Sequence, residues 1–369
     1  MRQFIVILPF ALFLACFSVA RWISAAEPVR FALAGLSHSH VHGFLNKMQT
    51  DDWQLVGIAE KDRALAERLA KRYGFEMALV DDDLETMLDK AKPQGVLAFN
   101  SIFDHLAVVE ACAPRGIHVM VEKPLAVNGE HARKMATLAE RHRILVLTNY
   151  ETTWYPTNRR AFEWAVEEKR IGPVRKMIIC DGHKGPREIG VNKEFLDWLA
   201  DPVGNGGGAV IDFGCYGANL ATQVMQNRRP VSVLAMLQQF KPNVYPKVDD
   251  EATIILAYPE SQAVIQASWN WPFNRKDMEI YGTTGYVKAI NAKELYYRFS
   301  ERETEKREEL SSASALQQSP FIYFAAVVRG DVKVRPTDLS SLENNLIVME
   351  ILDAARESAR TGKAIQLAP

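Results

Sequence analysis

Cysteine is scarce in this chain: four among 369 residues, one of them, Cys16, inside an apolar N-terminal run. Cys112, Cys180 and Cys215 lack the tight spacing that a disulfide framework or a thiolate zinc site needs, which excludes both. Cys112 and Cys215 read as small buried packers. Excess charge is missing as well. The 44 basic residues face 45 acidic ones for a formal net charge of −1, so nothing indicates a nucleic-acid or membrane-surface partner. No internal repeat and no low-complexity linker interrupts the sequence.

Apolar residues make up 48% and charged residues 24%, the balance of a globular protein, and the length fits two domains. The first residues differ from the rest. Phe4 to Ala20 is almost wholly apolar, preceded by Arg2 and followed by Ser24-Ala25-Ala26. This is the pattern of a secretory signal peptide over residues 1–26, cut after Ala26, with Ser18-Val19-Ala20 as a second cut and an uncleaved anchor as the alternative. Phe13 spoils a lipoprotein cut before Cys16. No twin-arginine pair precedes the run, which argues for export unfolded. The expected location is periplasmic, with no membrane attachment after cleavage.

From residue 27 to about 148, buried strands alternate with helices, the pattern of a doubly wound parallel sheet. Val29–Ala34 is a strand that runs into Gly35-Leu36-Ser37-His38-Ser39-His40-Val41-His42-Gly43 and then a helix reaching Met48. Strand, glycine turn and helix form the layout that cradles a dinucleotide pyrophosphate. Gly35 holds the first fingerprint position, but Ser37 and His40 stand where two further glycines would be. Ser37, His38 and His40 are candidate phosphate or substrate contacts. The histidines alternate where the chain turns into a helix, so no metal is expected. Gln54–Ala59 is the second strand. Glu60 follows Gly35 at a distance on the order of 20 residues, where an acid meets the adenosine ribose. That favours NAD, with NADP possible because Lys61 and Arg63 lie close by. Arg63–Tyr73, closed by Gly74, and Gly129–His142, capped by Asn128, read as helices. Asn100, after the strand Val96–Phe99, and His105, opening the next helix, complete the expected cofactor contacts.

The central stretch is Glu122-Lys123-Pro124. It ends the apolar run Ile117–Val121, because proline cannot donate to a sheet ladder. A Glu and a Lys thus stand at the carboxyl edge of a parallel sheet, where ligands gather, and a Lys there can be tuned for proton transfer. Past Asn149 the rhythm changes. A helix over Asn158–Glu168 precedes β-rich runs from Arg175 to Phe299, a meander expected to form an open, mostly antiparallel sheet with one solvated or partner-covered face. Arg302–Glu309 reads as a charged, solvated stretch. Helices Phe321–Val328 and Leu342–Arg360 close the chain. The second domain is expected over 149–335, with 336–369 packing back on the first.

With this layout, Val119-Met120-Val121-Glu122-Lys123-Pro124-Leu125-Ala126, Gly206-Gly207-Gly208-Ala209-Val210-Ile211-Asp212-Phe213-Gly214-Cys215-Tyr216, Ile280-Tyr281-Gly282-Thr283-Thr284-Gly285 and Glu357–Lys363 resemble the Gfo/Idh/MocA oxidoreductases over nearly all of the mature chain. The resemblance implies an N-terminal Rossmann domain, a C-terminal α+β domain, a nicotinamide cofactor, and redox chemistry at a carbon of a sugar, polyol or cyclitol. It also implies that Lys123 is the catalytic Lys, Glu122 its neighbour on the nicotinamide side, Asp212 the acid of the second motif, and Tyr216 the residue often replaced by His. On one helix, Asp212 and Tyr216 would share a face, with the preceding glycines bringing the helix close to the cofactor. Many relatives carry an Arg-Phe pair where this chain has Asn149–Pro156, so Tyr150, Trp154 and Tyr155 become candidate substrate contacts. His183, with Lys184 and Arg187, follows a strand in a polar loop and joins them.

Export and a shuttling cofactor conflict, since free nicotinamide dinucleotide is scarce outside the cytoplasm. A cofactor retained through turnover, in a sugar–sugar oxidoreductase or in a glycosidase or lyase that oxidises transiently, resolves the conflict. A non-catalytic sugar- or nucleotide-binding protein on the same scaffold is the remaining alternative. An exposed face of the second sheet suggests a homo-oligomer.

Overall fold

A computed structural model describes residues 27–311, 314 and 319–367; the signal-peptide segment lies outside the described residues. Among the described residues no helix is long and apolar enough to cross a membrane.

The first domain alternates β1 (Val29–Ala34), α1 (Val41–Leu45), β2 (Trp53–Ala59), α2 (Arg63–Tyr73), β3 (Val80–Asp81), α3 (Leu84–Ala91), β4 (Gly95–Ala98), α4 (His105–Cys112), β5 (His118–Glu122), α5 (Gly129–His142) and β6 (Val146–Asn149). Its six strands are parallel in the order β3-β2-β1-β4-β5-β6, so the winding of the sheet reverses between β1 and β4. That reversal opens a crevice at the carboxyl edge of the sheet. Local signals set the helix ends. The Asp62 side chain accepts from Leu65 N–H, Gly74 closes α2 in the left-handed conformation, and Asn128 accepts from His131 N–H.

The second domain holds α6 (Pro156–Phe162), β7 (Val174–Gly182), α7 (Pro186–Ile189), α8 (Lys193–Leu199), α9 (Ala209–Asp212) and α10 (Gly214–Val224). Next come β8 (Ser232–Gln238), β9 (Glu251–Ala257), β10 (Gln262–Ser268), β11 (Arg275–Gly282), β12 (Tyr286–Ala289), β13 (Glu294–Arg298) and β14 (Lys306–Glu309), then α11 (Pro320–Arg329), α12 (Leu342–Thr361) and β15 (Ile365–Gln366). Nine strands form one sheet in the order β14-β13-β12-β11-β7-β10-β9-β8-β15, antiparallel except where β10 runs parallel to β7. Strict alternation along β9 turns Ala252, Ile254 and Leu256 into the core beneath α9.

Three expectations change. Residues 302–309 are not wholly solvated chain: β14 pairs with β13, and its charges suit an exposed sheet edge. The crossing back to the first domain comes at α11, before residue 336, because Phe324 stacks on Phe31 at 5.1 Å and Phe321 meets Phe44 edge-on at 5.1 Å. The tail does more than return to the first domain, since α12 also packs on α10 and β8, and β15 adds an edge strand beside β8.

Candidate active site

Two cavities lie along the crevice. One, of about 490 Å³, is bounded by Gly35, Ser37, Glu60, Asn100 and Trp198. The other, of about 390 Å³, is bounded by His38, His40, Lys123, His183, Asp212 and Tyr216, with Glu151, Tyr155 and Lys276 beside them.

The first cavity has the features of a dinucleotide cradle. Gly35 has φ +81°, and a Cβ there would come within 2.6 Å of the Asn100 Cβ, so only glycine allows this close passage of the two strand ends. Glu60 closes β2. Its Oε2 accepts from Leu36 N–H at 2.7 Å and its Oε1 from Asp62 N–H at 2.8 Å, which aims the carboxylate at the first loop. Burial raises its pKa above the ordinary value even though these N–H groups favour the charged form. The buried Asn100 Oδ1 has no partner among the described residues, leaving an acceptor for a ligand. These residues fit a nicotinamide dinucleotide.

In the second cavity Lys123 follows β5 directly, and its peptide bond to Pro124 is cis. Lys123 Nζ donates to the Asp212 carbonyl at 2.9 Å and to Asp212 Oδ1, while Asp212 Oδ2 accepts from Trp269 Nε1–H at 2.9 Å. Burial disfavours both charges, yet each holds the other: the Lys123 ammonium stays above its ordinary pKa and the Asp212 carboxyl below its own. Nζ also lies 5.2 Å from the Tyr216 ring centroid. Burial raises the Tyr216 phenol well above its usual range, so it stays O–H, and it lines the cavity without a hydrogen-bond partner for that hydroxyl among the described residues. Asp212 and Tyr216 do not share one helix. Asp212 ends α9, Tyr216 lies in α10, and Phe213 breaks the run between them. The glycines before them are required by close contacts within the protein. A Cβ on Gly208 would meet the Asp249 carbonyl at 1.8 Å; the Asp249 carboxylate, in turn, accepts from Gly208 N–H and Val210 N–H and so starts α9.

Glu122 is buried, with Oε1 accepting from Asn149 Nδ2 at 2.8 Å and Oε2 facing His40 Nδ1 at 2.9 Å. His38, His40 and Glu122 lie within 4.8 Å of one another, closer to a metal-ligand grouping than their turning segment suggested. They satisfy each other, since His38 Nδ1 takes His40 N–H and Glu122 takes the His40 ring. Burial holds His38 neutral, well below its ordinary pKa.

Several expected contacts sit elsewhere. His105 lines neither cavity: it is buried, Nδ1 meets the Leu125 carbonyl at 3.1 Å, and burial lowers its pKa to about 4. It braces the turn after Lys123. Tyr150 is fully buried behind Tyr216, its hydroxyl donating to Asn345 Oδ1 at 3.0 Å, so it is a packing residue. Trp154 opens onto a different cavity, packs on Tyr323, and donates Nε1–H to Asn149 Oδ1 at 2.9 Å; its link to the site runs through Asn149 to Glu122. His183 does line the site, its Nδ1 accepting from Gly185 N–H. Lys184 and Arg187 are absent from the lining.

Sequence reasoning missed Lys276, Glu151 and Asp181. Lys276 on β11 pairs with Glu151, which also accepts from the Tyr155 hydroxyl at 2.5 Å. No local signal marked Lys276, because β11 opens Arg275-Lys276-Asp277 and its charged residues look alike in sequence. Asp181 on β7 is fully buried with both carboxylate oxygens unpartnered among the described residues, and burial raises its pKa well above the carboxylate range. It is a neutral acid behind the lining of the site, close enough to feel the Lys276 and Lys123 charges.

A Rossmann crevice with a dinucleotide cradle and a buried lysine–carboxylate pair defines a dinucleotide-dependent oxidoreductase. A family model described as "Oxidoreductase family, NAD-binding Rossmann fold" matches residues 29–150, and the GFO/IDH/MocA C-terminal domain matches residues 160–288. The chain belongs to the Gfo/Idh/MocA family and is an NAD(P)-dependent oxidoreductase. It is 24% identical to trans-1,2-dihydrobenzene-1,2-diol dehydrogenase of Xenopus tropicalis over 84% of this chain and 91% of that protein. It is also 24% identical to D-xylose 1-dehydrogenase (NADP(+)) 2 of Haloferax volcanii over 91% and 99%. The inositol dehydrogenase homolog of Azotobacter vinelandii, solved with NAD+, shares the fold with a TM-score of 0.80 at 16% identity, covering 93% of this chain and 98% of that one.

Proposed function

We propose that the protein interconverts a CH–OH group and a carbonyl on a sugar, polyol or cyclitol, with Lys123 and Tyr216 handling the proton. The observation that carries this reading is the convergence of Lys123, Asp212 and Tyr216, far apart in the chain, on one cavity of about 390 Å³. The rest of the lining suits a polyhydroxylated ring. Phe213 and Tyr155 offer aromatic faces, and His183, Lys276, Glu151 and Asn291 offer donors and acceptors. A bound nicotinamide supplies the hydride acceptor or donor.

Asp212 fixes the Lys123 ammonium and keeps it charged, so the resting site holds a proton ready for a substrate oxygen. The free Tyr216 hydroxyl is the group that can hydrogen-bond that oxygen directly. Delivery of a proton to a carbonyl is therefore favoured near neutral pH, and abstraction from a hydroxyl requires Lys123 to be deprotonated. Testing purified protein against single members and pairs drawn from a panel of aldoses, polyols and inositols with NAD and NADP, while following both reduced nicotinamide absorbance and the carbohydrate products by chromatography, decides the reading. No turnover with any member in either direction would sink it.

Glu60 underlies the preference for NAD, because a carboxylate repels a 2′-phosphate. Glu60→Gln removes that charge and keeps an acceptor, and it should lower the NAD-over-NADP ratio of kcat/KM by about tenfold or more, one repulsive contact of the size that charge pairs show. An unchanged ratio removes Glu60 from cofactor choice.

The outer face of the second sheet supports a homo-oligomer. Ladder partners Leu234, Ile255, Val264 and Ile178 form an apolar row across β8, β9, β10 and β7, with Met236 beside it 63% exposed. Ile178→Lys combined with Leu234→Lys should convert the assembly to monomer in multi-angle light scattering. A wild-type chain that is already monomeric at micromolar concentration argues against this face as an interface.

A further inference from the structure

Helix α8 belongs to the second domain yet lies across the first loop of the Rossmann domain. Trp198 Nε1–H donates to Ser37 Oγ at 3.1 Å, and the His38 ring sits 4.6 Å from Phe195 and 5.6 Å from Trp198. Arg68 on α2 pairs with Glu194 at 2.8 Å, and Asn192 Nδ2 approaches His42 Nε2 at 3.4 Å. The helix also separates the two cavities. Trp198 borders the one that contains Glu60, whereas Phe195 and Leu199 border the one that contains Lys123. A dinucleotide that reaches both Glu60 and Lys123 must pass beneath this helix. The segment is flanked by Gly190 and Gly206, both at positive φ, where the backbone can change course.

We propose that α8 is a strap over the dinucleotide groove, closed by Trp198 on Ser37, which makes the cofactor a retained one that survives many turnovers. This rests on the dinucleotide-dependent reading of the cleft. The contacts of Trp198 with Ser37 and of Glu194 with Arg68 cover the groove in either direction of passage, so the strap must open for entry as well as exit. Loosening it therefore speeds both, whereas loss of an ordinary cofactor contact speeds exit alone.

The test is stopped-flow fluorescence on the full chain, measuring NADH association and its displacement by excess NAD+. Wild-type release should be slower than turnover. Trp198→Phe, which keeps the packing and loses the N–H, should raise both the release and the association rate by about tenfold, the effect of one lost hydrogen bond. Trp198→Ala should raise them further. Release in wild type faster than turnover overturns the strap, as does an unchanged release rate in Trp198→Phe or faster release with unaltered association. Wild type that binds neither NADH nor NADPH at saturation overturns the dinucleotide reading itself, an outcome distinct from rapid exchange.

Discussion

Lys123→Met should lower kcat by about 10²–10⁴-fold, the range that general acid–base groups supply, with dinucleotide affinity changed by only a few-fold. The same substitution strips a buried carboxylate of its counter-charge. In wild type Asp212 has a depressed pKa, so its contribution to stability is present above the unfolded value and lost as pH falls through the depressed one. Lys123 has a raised pKa, so its contribution is complete below the unfolded value of 10.5 and lost as pH rises through the raised one. The pair therefore stabilises the fold across the whole neutral range. In the variant, only the Trp269 N–H remains on the Asp212 carboxylate, and burial now pushes that carboxyl upward. The expected loss is about 3–5 kcal/mol at pH 8, shrinking toward pH 5 as Asp212 takes up a proton. Thermal melts of both proteins at the two pH values check this. A gap in Tm that is flat with pH, or turnover within a few-fold of wild type, contradicts the assignment. The pH profile of wild type carries the same sign. Alcohol oxidation should climb with pH through neutrality and beyond, because it needs Lys123 neutral; carbonyl reduction, which needs it charged, should stay level across neutrality and fall only as pH rises through the raised pKa of Lys123.

Tyr216→Phe is the second large effect. The ring is 2% exposed and held from several sides: Lys123 Nζ at 5.2 Å, Lys276 Nζ at 4.9 Å, Tyr150 at 5.3 Å and Phe213 at 5.9 Å. Phenylalanine keeps all of these contacts. Since the hydroxyl has no partner among the described residues, its removal leaves nothing unsatisfied, and stability should stay within about 0.5 kcal/mol. Activity should fall about 10²-fold or more, because a substrate oxygen loses its neutral donor. Fluorescence titration with NADH should show unchanged affinity. If kcat is retained, the phenol is a packing group and proton transfer runs through Lys123 alone.

Much of the first domain was legible because its signals are local. Gly74 closes α2 and Asn128 starts α5 at the residues their capping chemistry indicates, and the apolar run before Glu122-Lys123-Pro124 is β5. The second domain was legible as a meander, but the parallel partnership of β7 with β10 was not, because sheet order depends on which edges meet after folding. Tyr150 and Trp154 illustrate the same limit at the site. Both are aromatic and next to the cleft in sequence, yet a hydrogen bond to Asn345 turns one into the core, and contacts with Tyr323 and Asn149 turn the other onto another surface.

The amino-acid order alone determined the Rossmann alternation, the positions of Gly35, Glu60 and Lys123 at strand ends, and the family, since each depends on residues within a turn or a strand of one another. Only the tertiary structure decided that Asp212 clamps Lys123, that Lys276 and Glu151 furnish the same cavity, and that Trp198 reaches Ser37. Those contacts join residues from separate elements of two domains, and no local spacing encodes where two packed surfaces bring their side chains together.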